Sequence, residues 1–285
     1  MIMKKYIIIL SLFAVVSACE EIGPDIDFTP TDLTLIDTTY VEATPETPAD
    51  KVVLLEDFTG VQCVNCPGAH EEIDEILSLY PGRVVTVAEH NYFAGPFTDS
   101  NEDYEIPEAL ELDDYLGPAP AWPAGFVDRK DFGTGVLYTL IVSNYKIYVE
   151  EQLLETAPCN VYIVSSYDDA TKKAKVKVTV KYTDAVTEEN HLSIMITENG
   201  IIDLQLALTG IDETYEHNHV LRDMFTPATG VNLDAEKVPG RVFEREFVLD
   251  IPEHWNTSEL EITAFVHNFT SANKEVLQAA KVPLL

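Results

Sequence analysis

The stretch Val52-Val53-Leu54-Leu55-Glu56-Asp57-Phe58-Thr59-Gly60-Val61-Gln62-Cys63-Val64-Asn65-Cys66-Pro67 decides how the rest of this 285-residue chain is read. It opens as a continuous apolar run, the pattern of a strand buried on both faces. A short loop, Thr59-Gly60-Val61-Gln62, leads to two cysteines spaced Cys-x-x-Cys. Beyond them Ile73, Ile76, Leu77 and Tyr80 recur at helical spacing, and Pro81-Gly82 stops the helix. The first sulfur therefore meets unpaired backbone N–H groups and the positive end of a helix. Both favour thiolate over thiol, which makes Cys63 the nucleophile. Cys66, one turn further in, would be shielded and would resolve a mixed disulfide. Pro67 fits the first helical turn, where its missing N–H costs nothing.

Working outward, a second strand is expected at Val84–Ala88 and a helix from Pro107 to Leu116. Trp122-Pro123 precedes a short strand at Gly125–Asp128. A longer helix follows near Ile141–Leu154, with Ile141, Tyr145, Val149 and Leu153 on one side. Strand alternating with helix is an α/β layer pattern, assigned to residues 51–157. After Ala157-Pro158 the period becomes two. In Lys173–Tyr182 the residues Val176, Val178, Val180 and Tyr182 face one way, and Lys175, Lys177 and Lys181 the other. Further strands are expected at Val161–Ser166, His191–Thr197, Ile201–Leu208, Val242–Leu249, Leu260–Asn268 and Val276–Val282. Residues 158–285 thus predict an all-β domain, most simply an immunoglobulin-like sandwich with one buried face per sheet.

The N-terminus reads as an export signal: Lys4 and Lys5, then an apolar run from Tyr6 to Val16 that is too short to span a bilayer. Val16-Ser17-Ala18-Cys19 resembles the lipobox of bacterial lipoproteins. That resemblance implies cleavage after residue 18 and a thioether-linked diacylglycerol on Cys19. The processed chain carries 16 basic and 49 acidic residues, a surface that repels nucleic acid and anionic headgroups. Residues 19–50 read as an acidic tether from the lipidated Cys19. Within 20–50 there are nine acidic residues and no Lys or Arg, with prolines at 24, 30, 45 and 48. Alternation around Leu33, Leu35, Ile36 and Tyr40 would let one segment pair with a sheet edge.

With Cys19 taken by lipid, Cys63, Cys66 and a lone Cys159 remain outside the cytoplasm, too few for a disulfide framework. Cys-x-x-Cys spacing also suits zinc, which needs two more ligands. Cys159, His70 or His90 could supply them only through tertiary placement. No metal or cofactor is expected.

The strand and loop ahead of Cys63 resemble the thioredoxin superfamily in register. By that resemblance Asp57, six residues before Cys63, is a buried acid that relays a proton to or from Cys66. Trp122-Pro123 resembles the family's cis-proline, implying that Pro123 sits against the disulfide and offers the backbone of Trp122 to a peptide. The chain departs from the pattern at Val64-Asn65, at Gln62 and at the bulky Trp122. A closer resemblance covers nearly all of the processed chain. Leu55–Gly60, Cys63–His70, Trp122–Arg129, His219–Arg222 and Ala264–Asn268 resemble the Omp-twenty-eight-related outer-membrane lipoproteins of Bacteroidetes. That resemblance implies a lipid-anchored envelope protein with a thioredoxin-like domain and a β-rich C-terminal domain.

Each of these residues also has a plainer reading. The cysteine pair could be a static clip and Asp57 a strand-end carboxylate reaching solvent. His70 reads as an exposed helix histidine and His90 as the end of the second strand. His217 and His219 would share one strand face, with no third ligand tied to them. The lysine stripe reads as a solvated face guarding a sheet edge, and Cys159 as a small buried hydrophobe. The leading expectation is thiol–disulfide exchange on envelope or extracellular proteins, with Cys63, Cys66, Asp57 and Pro123 as the working residues. The alternative is a surface binding or adhesion module with a structural disulfide. Either would sit at the outer membrane, anchored through lipid, on its periplasmic face or the cell surface.

Overall fold

The computed structural model describes residues 35–91 and 95–285. The expected signal peptide, Cys19 and the first part of the expected tether lie outside the described residues. In chain order the elements are β1 (Asp37–Val41), β2 (Val53–Thr59), α1 (Cys66–Leu79), β3 (Val84–His90), α2 (Pro107–Leu116), β4 (Ala124–Val127), β5 (Tyr138–Thr139) and α3 (Ser143–Gln152). Strands then dominate: β6 (Cys159–Asp168), β7 (Lys173–Tyr182), β8 (Asn190–Glu198), β9 (Ile201–Ala207), β10 (Gly210–His217), β11 (Val220–Met224), β12 (Val231–Asn232), β13 (Arg241–Asp250), β14 (Leu260–Asn268) and β15 (Val276–Pro283). No helix among the described residues is long and apolar enough to cross a membrane.

The apolar run of β2 is buried along its whole length. It pairs parallel with β3 on one side and antiparallel with β4 on the other. Because side chains alternate across a strand, its residues divide between two cores. Val53 and Leu55 pack with Ala69, Ile73 and Ile76 of α1 and with Tyr145 and Val149 of α3. Leu54 and Phe58 pack on the other side with Leu112 and Leu116 of α2. The same alternation sends Asp57 toward α1 and Glu56 toward α2. The close approach of α3 to β4 requires glycine at 125, since a Cβ there would lie 2.3 Å from the Tyr145 ring.

In the C-terminal half, β1, β13, β7 and β6 form a four-stranded sheet in that order. Its face carrying Val176, Val178, Val180 and Tyr182 packs on Leu192, Ile194, Ile196 and Ile262 of β8 and β14. Two β-layers therefore enclose one core. The second layer does not end there. β8 pairs with β11, and Val220 of β11 pairs with Ala88 of β3, so a single sheet runs β15-β14-β8-β11-β3-β2-β4-β5. The boundary drawn at residues 157 and 158 separates two sequence patterns but not two sheets. Leu35–Leu285 form one compact unit.

Two expectations change here. β8 is buried at every position rather than on one face, because one side meets the sandwich core. Its other side places Met195 beside Leu221, Met224 and Phe265. The lysine stripe does not guard an edge, since β7 lies between β13 and β6. Its lysines meet cross-strand acids instead, Lys175 with Glu246 at 3.0 Å and Lys177 with Glu244 at 3.1 Å. Lys181 reaches Glu42 and Glu46, next to the point where β1 pairs with β13. Such partly solvated pairs at the surface contribute about 0–1 kcal/mol each. Of the three, Lys181 is the one that ties the segment after β1 to the sheet.

A polar cluster is buried where the two halves meet. After β4 the backbone of Asp128 and Arg129 turns left-handed, with φ of 46° and 50°. Both side chains are anchored inward. Asp128 Oδ1 accepts from Leu54 N at 2.9 Å and Oδ2 lies 2.9 Å from Lys51 Nζ. The fully buried Arg129 donates through Nε to Glu56 Oε2 at 2.9 Å, and its guanidinium lies 4.8 Å from the centre of the Phe265 ring on β14. Glu89 on β3 is fully buried next to Glu56. Burial first, and then the Glu56 charge, push its carboxyl well above the usual carboxylate range.

The fold therefore holds a proton on Glu89 that the unfolded chain releases near pH 4.5. Stability is expected to fall as pH rises above that value. Glu89→Gln should flatten the decline, so urea midpoints of wild type and variant should diverge between pH about 5 and 8. Parallel pH profiles would show that Glu89 is not held protonated.

Candidate functional site

Cys63 and Cys66 form a disulfide at the head of α1. Cys66 is fully buried and Cys63 half-buried, so the two sulfurs differ in their access to solvent. The loop closes through Cys63 N donating to Gly60 O at 3.0 Å and Cys66 N donating to Cys63 O at 3.2 Å. No side chain caps the helix start at Asn65.

Asp57 does not reach solvent. It is 0% exposed, and neither carboxylate oxygen has a hydrogen-bond partner within the protein. Such a group is rare in a folded core, because an unpaired buried carboxylate loses its hydration without compensation. Its nearest opposite partner is His70, whose Nε2 lies 3.3 Å from Oδ2. Burial and the nearby Asp57 push the Tyr145 phenol on α3 far above its ordinary value.

His70 is not the free surface histidine expected from helix position. It is 21% exposed, and its two ring nitrogens point to different partners. Nε2 also lies 2.9 Å from Thr59 Oγ1 on β2, and Nδ1 lies 2.6 Å from the Tyr215 hydroxyl on β10. Behind this contact is a cavity of about 50 Å³, lined in part by Asp57, His70, Asp74, His90, Tyr215 and His217. That volume has room for a few water molecules. His90 is buried, stacks on Tyr104 with ring centres 4.9 Å apart, and is held neutral by burial. Burial likewise lowers His217 and His219 to about 4. These two histidines do not share a strand face as the spacing suggested. β10 ends at His217, and His219 takes a left-handed φ of 60° before β11 begins.

The β9–β10 hairpin, a contribution of the C-terminal half, clasps the cysteine loop. Leu206 N donates to Val61 O at 2.7 Å, and Gln205 Nε2 donates to Cys63 O at 3.2 Å. Sequence reasoning found β9 but missed β10, Gln205 and Tyr215. Residues 210–216 of β10 have no buried side chain, so no apolar period marks the strand. The available signal was Gly210 two residues after the end of the β9 pattern, a turn cue that closes a hairpin.

The Trp122–Pro123 peptide bond is cis. Phe58 pairs with Ala124, which puts Pro123 level with Thr59, where the cysteine loop leaves β2. Cys159 lies elsewhere, fully buried on β6, and burial pushes its thiol up to about 12. No cluster of three or more His, Cys, Asp or Glu with metal-binding geometry occurs among the described residues.

These features define a class: a cysteine-pair α/β layer joined through one continuous sheet to a two-layer β structure. The family model for outer membrane protein Omp28 matches residues 113–284, more than half of the chain, and the chain belongs to that family. The match takes in Pro123 and the hairpin but begins after the cysteines. Among solved structures, HBP35 of Porphyromonas gingivalis is similar with a TM-score of 0.68 and 21% identity, covering 84% of this chain and 77% of that one. Protein AGR_C_4864 from Agrobacterium tumefaciens is similar at 0.53 and 11% identity, covering 83% and 96%. Both likenesses concern the fold. No curated protein matches the chain.

Proposed function

We propose that this Omp28-family protein is lipid-anchored through Cys19 at the outer membrane and carries out thiol–disulfide exchange on other envelope proteins. One observation carries the reading: a half-buried Cys63 joined to a buried Cys66 at a helix head, with a buried Asp57 that lacks hydrogen bonds on the strand facing that helix. The α/β layer is then a thioredoxin-like unit and the C-terminal layers an immunoglobulin-like sandwich. Cys63 forms the mixed disulfide with substrate, Cys66 resolves it, Asp57 relays the proton of Cys66, and Pro123 helps dock substrate backbone. The strongly acidic body stays clear of anionic headgroups, so the lipid rather than the surface holds the protein to the membrane.

The reading is tested by the reduction potential and thiol titration of the protein. A potential between about −120 and −270 mV, with one thiol titrating well below 8.5, is expected of a working pair. A potential below about −300 mV with no reactive thiol would mark a structural disulfide. A second reading, a binding or adhesion module, is favoured by the apolar residues that the hairpin leaves in solvent. Leu208 is 86% exposed, and Ile202 and Ile211 are more than half exposed. Capture of an envelope partner that survives replacement of both Cys63 and Cys66 by serine would favour it.

A further inference from the structure

We propose that His70 carries the exchanged proton between Asp57 and solvent, and that Tyr215 on the β9–β10 hairpin holds its ring for that task. This rests on the thiol–disulfide reading and names the proton path it requires. A buried acid that serves a resolving cysteine can act repeatedly only if something returns its proton. Asp57 is 0% exposed, and both of its oxygens lack hydrogen bonds. His70 spans the gap, with Nε2 3.3 Å from Oδ2 and with part of its ring in solvent. The Tyr215 hydroxyl lies 2.6 Å from Nδ1. When that O–H donates to Nδ1, the ring proton sits on Nε2, facing Asp57 and Thr59. The hairpin carrying Tyr215 is fastened to the cysteine loop by Leu206 and Gln205, so clasp and ring orientation are set together.

From the disulfide, the step balances as follows. A thiolate of a polypeptide dithiol attacks Cys63 Sγ, the Cys63–Cys66 bond breaks, and Cys66 leaves as thiolate. Protonated Asp57 gives its proton to Cys66; a proton from solvent then adds to His70 Nδ1, and Nε2 passes its own proton to Asp57, leaving the ring neutral. The second substrate thiol loses its proton to solvent, attacks the substrate sulfur of the mixed disulfide and releases Cys63 thiolate. Two electrons pass from the substrate dithiol to the protein. The opposite direction reverses each transfer.

The charged and titratable groups facing His70 come from every element around it. Asp57 lies on β2, and Glu71 and Asp74 on α1. Tyr215, Glu216 and His217 lie on β10, with His90 and His219 across the cavity. Burial keeps His90, His217 and His219 uncharged, which leaves His70 as the histidine in contact with the carboxylate.

The test is stopped-flow reduction of the full chain by dithiothreitol from pH 5 to 9, comparing wild type, His70→Gln and Tyr215→Phe. His70→Gln should slow the reaction about 10-fold or more, and added imidazole should restore part of the rate to His70→Gly. The loss in His70→Gln should not be uniform across the pH range. Tyr215→Phe, which removes the contact to Nδ1 but keeps the ring, should lose only a few-fold in rate. Equal loss at every pH, without imidazole rescue, would overturn the relay while leaving exchange intact. Wild-type reduction no faster than that of the urea-unfolded chain would overturn exchange itself, and the relay with it.

Discussion

Arg129→Met should destabilise the protein by about 3–5 kcal/mol, the cost of stranding a buried charge whose partner has been removed. Arg129 and Glu56 are both 0% exposed, and the guanidinium is also stacked over Phe265 of the distant strand β14. Removing the cation leaves Glu56 facing Glu89 in a core that water does not reach. The loss should appear as a lower urea midpoint at an unchanged slope. Adding Glu56→Leu to Arg129→Met should recover much of it, because a well-packed apolar pair replaces a buried ionic one at little net cost. A single-variant loss below about 1 kcal/mol would show that the pair does not hold the halves together.

Cys63→Ser should lower disulfide exchange by a factor of about 1,000 or more, since no other described cysteine can take its place. Cys159 is fully buried and its thiol is pushed up to about 12. Cys66→Ser should behave differently. Cys63 stays free to attack, resolution fails, and mixed disulfides with envelope proteins accumulate and can be seen on non-reducing gels. Both variants lose the same disulfide, which closes a loop only three residues apart in sequence. So short a loop contributes about 2 kcal/mol in the chain-entropy account, and the two variants should melt alike. Equal stability with opposite exchange behaviour separates chemistry from folding. Retention of exchange in Cys63→Ser would remove the proposed nucleophile.

The elements around the cysteines were legible because each is written in its own neighbourhood. The apolar run at Val53–Leu55, the helical spacing of Ile73 and Ile76, and Pro107 at a helix start each depend on residues within a turn or two. Lys173–Tyr182 alternates cleanly because one side packs in the sandwich core and the other meets cross-strand acids. β11 was missed for the opposite reason. Its five residues pair with β8 along one edge and reach β3 only through Val220, too short a run to display a period. Without it the two halves looked like separate domains.

The candidate site divides in the same way. Local sequence alone determined a cysteine pair at a strand-to-helix junction, with an acid on the strand six residues ahead and a histidine one turn beyond. The proline expected beside the disulfide was also marked locally, by the Trp122-Pro123 dipeptide. Tertiary structure decided that Asp57 has no hydrogen bond, that His70 turns inward to it, and that a hairpin from the other half of the chain holds both the loop and the ring. Tyr215 meets His70 across 145 residues of sequence. Spacing encodes what a helix or strand does with its nearest neighbours, whereas contacts between distant strands depend on which edges remain open once those elements have packed.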